Sequence, residues 1–262
     1  MNRYLSTVGL YARWNLYKIL AIILITALAA GFLVYRYPIG TVVLDENYVS
    51  AETGETTQLV ASYPKLEGVV SGSGAPVVCA AGFAAIVAVM SLTGCGYGVK
   101  TEYTIRRLRV KERQAVLLWA AYHAVLLVIY WAVLAAVLYG VMHLRLQMDV
   151  PVDYFVYMYG PQSMLLLCYT DTFLHHLLPL RDVAAWGVGI ASVLAAALST
   201  VLFSYRQRRG RFSVLVLLAL GGTIASFFCG LGESTGLLLL LILLVVAGAA
   251  LALLLGGDSD EA

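Results

Sequence analysis

The chain has 262 residues, of which 61% are hydrophobic and 12% charged, and its net charge is +2. Soluble domains carry about 25% charged residues, so this sequence cannot cover a water-exposed globule, and part of its solvent must be lipid. Four cysteines, Cys79, Cys95, Cys168 and Cys229, are scattered without CxxC spacing and read as small apolar side chains rather than a disulfide framework or a metal site.

The amino-terminal stretch "NRYLSTVGLYARWNLYK" places Leu5, Val8, Ala12 and Leu16 on one helical face. Tyr4, Tyr11, Trp14 and Tyr17 are aromatics that favour the headgroup zone. Residues 1–18 therefore read as a cytoplasmic interfacial amphipathic helix. Beyond it, six apolar stretches approach the roughly 20 residues needed to cross a bilayer, at about 19–35, 76–97, 114–141, 183–205, 212–231 and 236–256. Lipid offers no partner for an unpaired backbone amide, and the apolar runs lack the alternation of membrane strands. The predicted fold is all-α: a polytopic domain of six transmembrane helices over 19–256, closed by an acidic cytoplasmic tail at 257–262.

Charge orients these spans. Three cations precede the first (Arg3, Arg13, Lys18), six lie between the second and third (Lys100, Arg106, Arg107, Arg109, Lys111, Arg113), and four lie between the fourth and fifth (Arg206, Arg208, Arg209, Arg211). Only Arg36, Lys65, Arg145 and Arg181 fall on the other side. Positive residues near span ends stay inside, so both termini are expected in the cytoplasm of a plasma-membrane protein. The long connections 36–75 and 143–182 then face outward.

Motifs for self-contained chemistry are absent from the reading. The glycines of "GCGYGVKT" (Gly94–Thr101) miss P-loop spacing, because Val99 separates Gly98 from Lys100. No Asp, Glu, Lys or Arg occupies the centre of any span, which disfavours an ion-coupled carrier. His123, the one strongly titratable side chain well inside a span, reads as a buried histidine bonded to a neighbouring helix. In the outer "CYTDTFLHHLLPLRD" (Cys168–Asp182), Asp171 and His175 stand at i and i+4. Two ligands leave a zinc site short, so the segment reads as an interfacial helix ended by Pro179, with Phe173, Leu174, Leu177 and Leu178 resting on lipid. No catalytic residue, metal or cofactor is expected. Small residues permit close helix contact at Gly187 with Ala191 and at Gly248.

The basic segment before the third span has more order than a charge run. Glu102 and Arg106 stand at i and i+4, and Ile105 and Leu108 supply an apolar edge. "YTIRRLRVKERQAVLLWAAYHA" resembles the segment after span two in permease subunits of type II ATP-binding-cassette (ABC-2 type) exporters. There a tyrosine-threonine, arginine-leucine and basic run forms a coupling helix leading into span three. The amino-terminal helix, six spans and inward termini resemble that family too, while the motif itself covers only Thr101–Trp119. Two positions depart from the pattern: Arg109 stands where a proline is common, and the connection between spans five and six is only Gly230–Gly236.

The resemblance implies export by alternating access, driven by a separate ATPase subunit that binds the ATP, with a second permease half, identical or not. It implies docking through Glu102, Tyr103, Arg106, Arg107, Arg109, Lys111 and Arg113. "SYRQRRGR" (Ser204–Arg211) is a secondary contact or a plain anchor. Membrane lipid is the other expected partner, and nucleic acid is not. Two other readings use the same residues: a membrane scaffold or sensor, and an envelope enzyme working through 171–176.

Overall fold

A computed structural model describes residues 2–49, 56–65, 68–94, 112–149, 163–180 and 182–208, with Gly221 and Gly248 as isolated helical positions. The expected fifth and sixth spans otherwise lie outside the described residues. So do residues 95–111, which hold most of the basic segment, and the acidic tail.

Helix α1 runs from Asn2 to Arg36. No proline interrupts it before Pro38, whose ring disfavours helix at Tyr37. The lead-in and the first span are thus one uninterrupted helix. Two strands follow, β1 (Gly40–Val49) and β2 (Thr56–Lys65), paired antiparallel with Gly40 opposite Lys65 and Val49 opposite Thr56. This hairpin corrects the all-α expectation for the first long connection. Its runs "TVVL" and "QLVASY" are rich in β-branched and aromatic residues that favour extended backbone, and they are too short and polar to span.

A short helix α2 (Val69–Gly72) leads into α3 (Ala75–Gly94). Gly68 and Gly74 flank α2 with φ of 71° and 78°, a backbone region open to glycine. Helix α4 covers Glu112–Asp149, 38 residues or about 57 Å. It continues well past the expected end at Val141, because no proline stops it before Pro151. The second long connection holds α5 (Ser163–Thr170) and α6 (Thr172–Leu177), and α7 spans Val183–Arg208. Asp182 starts α7 by accepting from the amides of Ala184 (2.9 Å) and Ala185 (3.1 Å), a standard N-cap.

Four helices are long and apolar enough to cross a membrane, over Ala12–Arg36, Ala75–Thr93, Gln114–Met148 and Val183–Gln207. Their burial follows the helical period. On α1 the buried stripe is Ile19, Ile23, Ala27, Ala30 and Val34; on α3 it is Cys79, Phe83, Ile86 and Met90; on α4 it is Leu127, Tyr130, Leu134, Leu138, Met142 and Leu146. The opposite face of α1 is equally apolar and exposed, through Leu20, Leu24, Leu28 and Phe32. A helix apolar on every side needs an apolar solvent beyond its protein neighbours, and a bilayer supplies it. The chain is a multi-pass, helical membrane protein.

Helices α1 and α4 run parallel. A Cβ on Gly31 would meet Val137 at 3.1 Å and Val141 at 3.4 Å, and Arg145 reaches the end of α1. Helix α7 runs opposite to α4, since Thr200 pairs with His123 while Gly189 faces Trp131. One end of the bundle therefore gathers Arg13, Lys18, the start of α4 and Arg206; it is called the basic end below. At mid-bundle α1 and α3 meet at Gly82, where an added Cβ would overlap the Thr26 side chain and lie 2.7 Å from the Tyr130 hydroxyl. That hydroxyl donates to the Cys79 carbonyl at 2.6 Å, so it is not free to retreat. Gly82→Ala is accordingly expected to lower stability by about 1–3 kcal/mol, as overpacking does. Gly140→Ala, which meets no atom within 4 Å, should leave it unchanged or raised. Thermal unfolding of both variants in detergent checks the contrast.

Candidate functional site

Helix α4 connects the features that matter for function. Of the expected docking residues, Glu102, Tyr103, Arg106, Arg107, Arg109 and Lys111 lie outside the described residues, and Arg113 is the second residue of α4. The basic segment thus leads into a helix that reaches the opposite, far end of the bundle without a break.

At that far end Arg145 acts as a cap. Its guanidinium donates to the carbonyls of Val34 (3.3 Å), Tyr35 and Tyr37 (3.1 Å). Val34 and Tyr35 belong to the last turn of α1, whose carbonyls lack i+4 donors within the helix, and a cation there also opposes the helix dipole. The guanidinium lies 5.7 Å from the Tyr35 ring centroid as well. About four turns toward the middle, the indole of Trp131 donates to the Leu177 carbonyl at 2.9 Å. The ring packs on Trp186 with centroids 5.3 Å apart and fills the notch that Gly189 leaves.

Asp171 closes this end. The structure breaks the expected single outer helix into α5 and α6 at this residue. Oδ1 accepts from the amides of Phe173 (3.0 Å) and Leu174 (3.1 Å), capping α6. Oδ2 accepts from Val70 (2.9 Å) and Ser71 (3.1 Å), a hundred residues away. Gly68 occupies the N-cap of α2 and has no side chain to offer its amides, so the cap comes from Asp171 instead. The carboxylate is fully buried between two helix starts. We call this arrangement the clasp.

One expectation for the outer segment is corrected by the clasp, and one alternative loses its geometry. Phe173, Leu174 and Leu177 do not rest on lipid: all three are buried in the main core, and Leu178 packs against it, because α6 is pulled onto the bundle by Asp171 and Trp131. Asp171 and His175 do not present a shared reactive face either. The carboxylate is committed to four amides, and His175 stacks on Tyr169 at 5.2 Å. No group of three or more His, Cys, Asp or Glu able to hold a metal occurs among the described residues.

At the basic end a second polar group crosses the helices. His123 is fully buried on α4, with Nδ1 2.8 Å from Thr200 Oγ1 on α7, so the expected bond to a neighbouring helix is present. Ser204 Oγ lies 2.8 Å from the Ser91 carbonyl on α3 and 2.9 Å from its own helix at Thr200 O. Trp119 and Tyr122 pack around the imidazole, with centroids at 5.6 Å and 6.0 Å.

No family model, curated protein or solved structure matches the chain. The site is therefore read from its own geometry. Of the small residues expected to bring helices together, Ala191 is buried, while an added Cβ would meet nothing within 4 Å at Gly187 or Gly248. Gly189, two positions on, has the close neighbour. Arg145 and Trp131 are not singled out by the sequence, and neither is Asn15, which is fully buried with a carboxamide that has no partner among the described residues. A lone cation at the end of a span is a usable signal for the first, and "DTFL" is an N-cap signature for Asp171; nothing local marks the other two.

Burial, with the Asp171 carboxylate adding to it, pushes the Cys168 thiol above its ordinary pKa, so it stays protonated at neutral pH and reacts slowly. Asp171→Ala removes two caps, each worth about 0.5–2 kcal/mol, and should cost roughly 1–4 kcal/mol in thermal unfolding while speeding maleimide modification of Cys168. Asp171→Asn, which keeps one acceptor oxygen, should fall between. Unchanged melting and labelling in Asp171→Ala would show that the clasp does not hold the far end.

Proposed function

We propose that the chain is the membrane-spanning permease subunit of an ATP-driven exporter. In this reading, residues 212–231 and 236–256 complete six spans and both termini are cytoplasmic. A separate ATPase subunit docks on 102–113, and a second permease half completes the pathway in the plasma membrane. ATP is bound by the partner, and the permease itself has no catalytic residue. What carries the proposal is the continuity of α4 from Glu112 to Asp149, joined to the family-like basic segment at one end and to Arg145 at the other.

A stiff helix passes displacement along its length. A push on the segment before Glu112 would reach Trp131, which holds α6 through Leu177, and Arg145, which holds the end of α1. Closure of the ATPases at the cytoplasmic face would in this way bear on the clasp at the opposite face. The absence of a shared reactive face around Asp171 and His175 weighs against the enzymatic alternative. The scaffold or sensor reading offers no reason for one helix to link the basic segment with the clasp.

Purification in mild detergent should recover a nucleotide-binding subunit with this chain. Combined Arg106→Glu and Arg107→Glu should release it by reversing the docking charge, with the melting temperature of the membrane domain unchanged. Undiminished recovery of the ATPase from the charge-reversed variant would remove the basic segment as its docking site.

A further inference from the structure

Three side chains toward the basic end have buried polar atoms with no hydrogen-bond partner among the described residues. They are Asn15 (both carboxamide atoms), His123 at Nε2 and Tyr122 at its hydroxyl. Asn15 and His123 are fully buried. Their depths are close. Thr26, Gly82 and Tyr130 mark one level across α1, α3 and α4. At 1.5 Å per residue, His123 lies roughly 10 Å and Asn15 roughly 16 Å from that level toward the basic end, a separation of about one turn on two helices that pack along each other.

The bonding at His123 fixes what its free nitrogen can do. Thr200 Oγ1 donates to the Ala197 carbonyl at 2.7 Å, which leaves only lone pairs for His123 Nδ1 at 2.8 Å. Nδ1 therefore carries the proton, and Nε2 is a bare acceptor. A buried polar group without a partner costs several kcal/mol in an apolar medium. The rings of Tyr122 and His123 lie 6.0 Å apart, and with Asn15 at nearly the same depth on α1 the three offer an imidazole acceptor, a hydroxyl and a carboxamide that both donates and accepts. The complementary guest is small, donates an O–H or N–H to Nε2, and accepts in return.

We propose that His123, Tyr122 and Asn15 form a membrane-embedded site for a small hydrogen-bond donor, filled by water when nothing else occupies it. The Thr26–Gly82–Tyr130 contact separates the site from the far end. This proposal does not rest on the transport reading. It stands or falls on hydration of one imidazole, whatever docks on the basic segment.

Solid-state NMR of the full chain in lipid bilayers, with histidine labelled in ¹⁵N and tyrosine in ¹³C, tests it using water as the probe. The His123 signals are assigned by their loss in His123→Gln or, should that variant not fold, by replacing His143, His175 and His176 together. The expected result is an Nδ1-protonated ring whose Nε2 is shifted into the hydrogen-bonded range and receives magnetisation from water. The Tyr130 ring, whose hydroxyl is bonded to Cys79 in the core, should not. Thr200→Val should raise the fraction of the Nε2-protonated tautomer. Asn15→Leu with Tyr122→Phe should abolish the water transfer while keeping the Nδ1 bond to Thr200. An Nε2 signal typical of an unbonded nitrogen, transfer no stronger than at Tyr130, or full transfer in the double variant would overturn the site.

Discussion

A polar atom surrounded by lipid and apolar side chains has to find its partner inside the protein, and that constraint organises every non-apolar contact between the described helices. Arg145 takes three carbonyls at the end of α1, and Asp171 takes four amides at the starts of α2 and α6. Each charge sits where a helix leaves groups of the opposite partial charge unpaired. A cation closes a C-terminus and an anion closes two N-termini. The same rule explains Tyr130 on the Cys79 carbonyl and Trp131 on that of Leu177, where the polar tip of a large ring is spent on backbone of a neighbouring segment.

These contacts tie segments far apart in sequence to one helix. Tyr130, Trp131 and Arg145 all lie on α4, and through them α4 holds α3, α6 and the end of α1. The clasp then joins α6 to α2, which precedes α3 in the chain. At the far end these contacts form a circuit in which Arg145, Trp131 and Asp171 all bond to backbone. Backbone partners cannot swing away as side chains can, so this circuit yields only if a helix moves.

Much of the membrane architecture is legible in the sequence, because a run of apolar residues without proline has one stable form in lipid. The start of α7 at Asp182 and the break at Asp171 carry N-cap signatures. Which apolar face meets protein is harder to read. On α1 the buried Ile23, Ala27 and Ala30 and the exposed Leu24, Leu28 and Phe32 are all apolar, and only the smaller size of the buried alanines hints at packing. For the same reason Phe173, Leu174 and Leu177 looked suited to lipid and turned out to be core. The hairpin was concealed by its setting between spans, and the capping of α2 from Asp171 has no local trace because Gly68 supplies no side chain. Residues 102–111, on which docking was read, lie outside the described residues.

The two ends of the bundle differ in a way that stability does not require. Leucine or phenylalanine in place of Asn15, Tyr122 and His123 would relieve several unpaired groups, and a polar cluster without its full set of partners is worse than an apolar core of the same volume. Among the described residues the far end has one such atom, Nδ1 of His175. Separating the helices at the far end breaks the four bonds of Asp171 and strands its charge. Separating them at the basic end breaks the bonds of His123 to Thr200 and of Ser204 to Ser91, in which no charged group takes part. The polar contacts are thus unequal at the two ends, with a buried charge bonded to four amides at the far one.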